Sequence, residues 1–216
     1  MSVNHHPGED MLLAHASGAG DEAVSLIVAT HLALCPQCRG KVAQMEALGG
    51  AILSDIRPEQ VSDSALKAVM ERLDLASIEK PAPHAAASIP FAAPQPLRSY
   101  LGRDLDRVRW TPVGPGISYK PLFRRGPARA QLIRSRPGRG VGHHTHGGEE
   151  FTLVLTGGFT DMTGHYLRGD LQSADPSLLH RPLADEGEDC IVLAVSDAPL
   201  KFQSRVVGLL GKIFGF

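Results

Sequence analysis

The stretch Thr30–Cys38, THLALCPQC, sets His31, Cys35 and Cys38 in the spacing H-x3-C-x2-C. One imidazole and two thiols this close supply three corners of a tetrahedral zinc site. The other cysteine, Cys190, lies far along the chain, so the pair at 35 and 38 is not part of a disulfide framework. Working outward, Asp21–Leu34 reads as a helix with acidic residues in its first turn, preceded by a shorter helix over Asp10–Ser17 that ends at Gly18. Pro36 suits the first position of a third helix, capped by Cys35 and running through Val42, Met45 and Leu48 to the Gly49-Gly50 pair or slightly beyond. His31 thus closes one helix while Cys35 and Cys38 open the next, where the helix N-terminus favours thiolates. A fourth ligand is expected from the His5-His6 pair or from His15. A chain start tied down through a metal gains order, which favours the pair.

The chain of 216 residues is 43% hydrophobic and 21% charged, enough for two modest cores. No leader-like opening segment and no apolar run of about 18 residues is present, so a cytoplasmic protein with no membrane partner is expected. The net charge of −1 argues against direct contact with nucleic acid, which needs a basic surplus. In Ser62–Ile78, Leu66, Val69, Met70 and Leu73 follow helical spacing and form one apolar face, opposite Lys67, Glu71, Arg72 and Asp74. That face either completes a bundle or docks on a partner. The segment 80–96, KPAPHAAASIPFAAPQP, holds five prolines and marks a domain boundary. The division expected is 1–80, a linker at 81–96, and 97–216.

Past the linker, short apolar runs punctuated by Gly and Pro (Gln131–Ser135, Phe151–Leu155, Leu167–Ser173, Cys190–Val195) read as an antiparallel barrel or sandwich. Directly before one of them lies His143-His144-Thr145-His146-Gly147-Gly148-Glu149-Glu150. Along an extended segment His144, His146 and Glu150 share parity, so all three can converge on one metal, with a further His arriving from another strand. Glu149 has the opposite parity, and His143 and His165 read as solvated or turn histidines. Cys190 reads as a small core residue, and the arginines at 124, 125, 129, 134, 136 and 139 as solvated strand edge. The apolar tail from Val206 to Phe216 is expected to pack on the barrel or on another chain.

Two resemblances add to this reading. His6, His31, Cys35 and Cys38 match the zinc-binding anti-sigma domain, whose pattern is an early His followed by H-x3-C-x2-C. The match selects His6, and implies a three-helix bundle around a structural zinc plus a fourth helix that grips a sigma factor of the extracytoplasmic-function group. Gly138, His144, His146, Glu150 and Gly157 match the first cupin motif. The Gly169 to His180 interval matches the second, which adds His180 as the fourth cupin metal ligand, although Ser177 and Ala184 replace its usual later Gly and Asn. A cupin β-barrel is implied, holding zinc or another divalent metal.

The order of the two domains resembles the ChrR group of anti-sigma factors. That resemblance implies a transcriptional regulator that binds its sigma factor one to one and releases it when an oxidant, singlet oxygen or organic peroxide, acts through the cupin. The alternative from another class is a metal-dependent, dioxygenase-like cupin enzyme with a helical regulatory domain.

Overall fold

A computed structural model describes residues 3–75 and 93–202. Residues 81 to 92 of the linker expected at 81–96, with His84, and the apolar tail from 206 onward lie outside them.

Helices form where caps and turns are encoded. Helix α1 spans Glu9–Ala16, and α2 spans Glu22–Leu34, with the Asp21 carboxylate accepting from the Ala23 and Val24 amides. Cys35 ends α2 and caps α3, Pro36–Asp55, with Pro36 in its first turn. The Gly49-Gly50 pair does not stop α3, because a glycine inside a helix costs only about 1 kcal/mol and the turns beyond it retain their hydrogen bonds. Helix α4 spans Ala65–Leu75, and α5, Gln95–Leu101, ends on Gly102 in the left-handed conformation. Helices α1, α2 and α3 pack on one another, and α5 packs on α2.

Among the described residues eleven strands follow: β1 Thr111–Gly114, β2 Ile117–Arg125, β3 Ala128–Ser135, β4 His144–His146, β5 Glu150–Thr156, β6 Gly158–Asp161, β7 Gly164–Leu167, β8 Leu171–Ala174, β9 Leu183–Ala184, β10 Cys190–Ser196 and β11 Leu200–Phe202. A six-stranded sheet has the order β1-β2-β3-β10-β5-β8, a three-stranded sheet β7-β6-β9, and β4 pairs with β11. All pairings are antiparallel. Among the described residues the sheets do not close into the expected barrel; they form a cupin-like sandwich. At Gly157, φ +63°, the chain leaves the large sheet after β5 and enters the small one at β6. A side chain there would meet the Asp189 carbonyl at 2.8 Å as well as adopt a left-handed backbone. The run Leu167–Ser173 is likewise not one strand, because the turn through Arg168–Asp170 divides β7 from β8.

Strand β10 is buried along its whole length between β3 and β5. Its alternate residues serve two cores. Ile191, Leu193 and Val195 join a cluster with Leu132, Leu153 and the helical residues Leu12, Leu26 and Ile27, whereas Cys190, Val192 and Ala194 face Phe159 and Tyr166. Helix α2 therefore lies on one face of the large sheet, and the helical and β regions share one hydrophobic core. Arg125 of β2 adds an ion pair to Glu22 of α2 at 2.9 Å.

Ile27 is fully buried in that shared core. Ile27→Ala is expected to cost about 2–5 kcal/mol by transfer loss and cavity formation, read as a lower urea midpoint.

Candidate metal centres

His31 sits in the last turn of α2 with its ring fully buried. Its Nδ1–H donates to the Gly169 carbonyl at 2.9 Å, which leaves the Nε2 lone pair available. That Nε2 is buried with no hydrogen-bond partner, a costly state unless something else occupies its lone pair. At the other side of the corner, Cys35 Sγ accepts from the Cys38 amide at 3.5 Å. His6 Nδ1 lies 3.5 Å from Cys35 Sγ and 3.4 Å from Cys38 Sγ. The four ligand atoms all lie within 4.8 Å of one another. Bond lengths of about 2.3 Å to sulfur and about 2.0–2.1 Å to nitrogen, set at tetrahedral angles, require S···N separations of about 3.5 Å. The His2Cys2 donor set and the orphaned imidazole nitrogen therefore fit a zinc ion.

The neighbouring His5 turns away from this corner toward the β region, where its ring lies 4.3 Å from that of Tyr166 and its Nδ1 3.5 Å from Asp170. His15 is not in the four-residue group. The helix N-terminus does not make Cys38 acidic in the absence of metal. Burial first, then the hydrogen bond and charge of Cys35, push its thiol up to about 11, so the thiolate would form only as a bound metal displaced the proton. Burial pulls His31 down to about 4, so its ring is neutral, as a ligand must be.

A second group forms where two antiparallel segments meet. The backbones of His144 and His180 exchange two hydrogen bonds of 3.1 Å, which sets the side chain from the distant segment against β4. His180 Nε2 lies 3.0 Å from His146 Nε2 and 3.1 Å from His144 Nε2. Three nitrogens about 2.0–2.1 Å from one ion would be about 2.9 Å apart at right angles and about 3.3 Å apart at tetrahedral angles, which brackets both distances. The far nitrogens are oriented from behind: His144 Nδ1 donates to the Gly142 carbonyl at 2.8 Å, and His180 Nδ1 to Asp161 Oδ2 at 2.6 Å. Burial pulls His144 and His146 down to about 4. The neutral rings of His144 and His146 and the ring of His180, aimed at one point, also fit a divalent ion.

Glu150 is not in this group of three. It begins β5 with the parity expected and is buried on the wall of the same cavity, but its Oε2 stays 3.8 Å from His146 Nδ1 and its Oε1 accepts from Thr152 at 3.5 Å. Burial pushes its carboxyl up to about 7. The cavity, about 50 Å³, is lined mainly by apolar side chains including Ile133, Phe159 and Val192, with His144, His180 and Cys190 also on its wall. Burial first, then Asp185, Glu188 and Asp189, push the Cys190 thiol up to about 12, so it is an un-ionised core residue. Glu149 and His143 are exposed, and His165 is held by Asp185 at 2.6 Å away from the cluster.

Sequence reasoning missed Asp161, whose side chain is fully buried behind His180. Burial alone would raise its carboxyl, but hydrogen bonds from Thr163, Gln172 and His180 outweigh that and hold it below the usual range. The only local signal was the Asp161-Met162-Thr163-Gly164 turn, and nothing in that turn names its partner 19 positions away.

The fold and the two clusters define a two-part protein, a helical His2Cys2 region seated on a cupin-like sandwich with a three-histidine centre. Residues 100–199 match the ChrR cupin-like domain. The chain is 42% identical over 214 residues to the anti-sigma-E factor ChrR of Cereibacter sphaeroides, covering 99% of both proteins. It is also similar to ChrR in the crystal structure of Rhodobacter sphaeroides SigE in complex with the anti-sigma ChrR, at 38% identity and a TM-score of 0.76 over 90% of this chain and 99% of that one. The chain belongs to the ChrR family of anti-sigma factors.

The buried imidazoles define a pH dependence. In the metal-free protein His31, His144 and His146 stay neutral down to about pH 4, whereas the unfolded chain protonates them near their ordinary 6.5. The unfolded state then binds more protons, so stability is full above that value and falls as pH drops toward 4. Glu150, raised to about 7, has the opposite sign but is one group against three. The urea midpoint of metal-free protein is therefore expected to fall from pH 7 to pH 4.5; a flat profile would contradict the burial of these rings.

Proposed function

We propose that this protein is a zinc-dependent anti-sigma factor that sequesters an extracytoplasmic-function sigma factor in a 1:1 complex and releases it when an oxidant acts through the cupin-like region. It is a cytoplasmic regulator of an oxidative stress response, singlet oxygen or organic peroxide, and not an enzyme. Residues 1–80 form the sigma-binding unit, 81–96 a linker, and 97–216 the sensory unit. Zinc is held by His6, His31, Cys35 and Cys38, a closed site with no open position, so its role is structural. Zinc or another divalent ion is held by His144, His146 and His180, with Glu150 completing the set once its carboxylate turns toward the imidazoles.

The observation that carries this reading is an apolar surface on the helices. Leu48, Ile52, Leu53 and Ile56 at the end of α3, and Leu66, Val69, Met70 and Leu73 along α4, are each more than half exposed. The apolar stripe of α4 is not used to complete the bundle, and side chains of this size left in water mark a partner-binding surface. The ChrR relative was crystallised with SigE, which supplies the class of partner.

Co-expression of the full chain with its cognate sigma factor is expected to yield a 1:1 complex containing zinc. Cys35→Ala and Cys38→Ala should each abolish co-purification; full binding by the metal-free double variant would refute the zinc requirement. Val69→Asp on α4 should weaken binding at least ~10-fold while leaving zinc content and the circular dichroism spectrum unchanged.

A further inference from the structure

The segment 3–6, which ends on His6, is held against the cupin-like region by hydrogen bonds to the turn that precedes β8. The Asp170 carboxylate, almost fully buried, accepts from the Asn4 amide at 2.7 Å, the His5 amide at 2.9 Å and the Leu167 amide at 2.9 Å. The Leu171 amide donates to the His5 carbonyl at 3.0 Å. Burial would raise the Asp170 carboxyl, but these donors outweigh it and keep it ionised. Gly169 lies directly beneath Val3: with φ +96° and room for no side chain, since a Cβ would sit 2.7 Å from Val3 Cγ2, it lets the two segments touch. The Gly169 carbonyl also accepts from His31, as described above. One turn, Leu167–Leu171, thus orients two of the four ligands of the His2Cys2 cluster.

That turn is also tied to the three-histidine cluster. Behind His180, the Asp161 carboxylate accepts from Gln172 at 2.8 Å and from the Thr163 hydroxyl at 2.6 Å. The Tyr166 hydroxyl donates to Thr163 at 3.0 Å, and the Tyr166 ring lies against that of His5. Gln172 follows Leu171 directly in β8. Hydrogen bonds from His180 through Asp161 and the exposed Thr163 to Tyr166, completed by the contact of the Tyr166 ring with that of His5, therefore join a ligand of one cluster to the segment that carries a ligand of the other.

We propose that the turn Leu167–Leu171 couples the two metal centres, with Asp170 as the positioning residue, so that loss of metal or of a ligand at the three-histidine cluster loosens the chain start and speeds zinc release from His6, His31, Cys35 and Cys38. This rests on the two metal centres proposed above, but it needs no sigma factor and does not depend on which oxidant acts. Coupling of this kind is a property of the energies and not of adjacency, so a mutant cycle is required.

The test uses the full-length, metal-loaded chain without partner. Excess chelator and iodoacetamide are added, and alkylation of Cys35 and Cys38 is followed by mass spectrometry, which reports zinc loss from that cluster alone. His144→Ala, which removes a ligand of the other cluster, is expected to speed this alkylation at least ~5-fold. Asp170→Asn preserves size but presents N–H where the carboxylate accepts, and should speed it about 10-fold by itself. In the Asp170→Asn background, His144→Ala should then add less than ~2-fold, because the link is already cut. Tyr166→Phe, which removes only the hydroxyl, repeats the cycle with a variant that keeps its ring packing. No effect of His144→Ala, or an equal effect in wild-type, Asp170→Asn and Tyr166→Phe backgrounds, overturns the coupling. Metal analysis of the wild-type chain separates this from failure of the metal centres themselves: two metals per chain with uncoupled release condemns the coupling alone, whereas a missing metal condemns both.

Discussion

The hydrogen bond from the His31 ring to the Gly169 carbonyl is the constraint on which the rest of the molecule depends. It is buried, crosses from the helical to the β region, and selects the tautomer that turns Nε2 toward Cys35, Cys38 and His6. Without an acceptor behind Nδ1, burying this imidazole would leave two unsatisfied nitrogens instead of one. With it, the remaining nitrogen is free for metal, and the helical cluster is defined partly by a residue 138 positions away.

The same economy recurs at the three-histidine cluster. Each of two rings uses its far nitrogen to bond an acceptor, Gly142 or Asp161, and presents Nε2 to the common point. Burial keeps the His144 and His146 rings neutral, and neutral imidazoles can approach one another closely where imidazolium ions would repel. Such an arrangement is costly to a metal-free fold, so a metal bound at either cluster would link its binding to folding. The shared hydrophobic core, with α2 laid across β3, β10 and β5, holds the two ends in a fixed relation. Against this buried core stands the exposed apolar surface of α3 and α4. The chain divides its apolar residues between one set buried in the core and another left exposed on α3 and α4.

Much of this was legible in the residues because it depends on local spacing. H-x3-C-x2-C with Pro36 at a helix start gives a corner whatever surrounds it, and parity along His144-Thr145-His146 puts two rings on one face of any extended segment. The run CIVLAV at 190–195 reads as a fully buried strand because both of its faces are apolar, and β10 serves a core on each face. What escaped was non-local. The choice of His6 over His5 came from family resemblance; physically it is made by Asp170 and Tyr166, which hold His5 to the β region. The division of Leu167–Ser173 into two strands also escaped, since an apolar run does not show that Gly169 and Asp170 are needed to receive another segment. Sheet closure is not legible for a similar reason, as the passage between sheets at Gly157 brings the chain against the Asp189 carbonyl.

By itself, then, the sequence determined the helix corner with its two thiols and imidazole, the paired rings of β4, the amphipathic stripe of α4 and the two-part organisation, because caps, parity and helical period act within a few residues. Long-range packing settles which acceptors stand behind His31, His144 and His180, where Glu150 rests, and that the segment 3–6 is bonded to the turn before β8. Those outcomes depend on hydrogen bonds between residues up to 166 positions apart, whose partners are chosen by packing of the whole core.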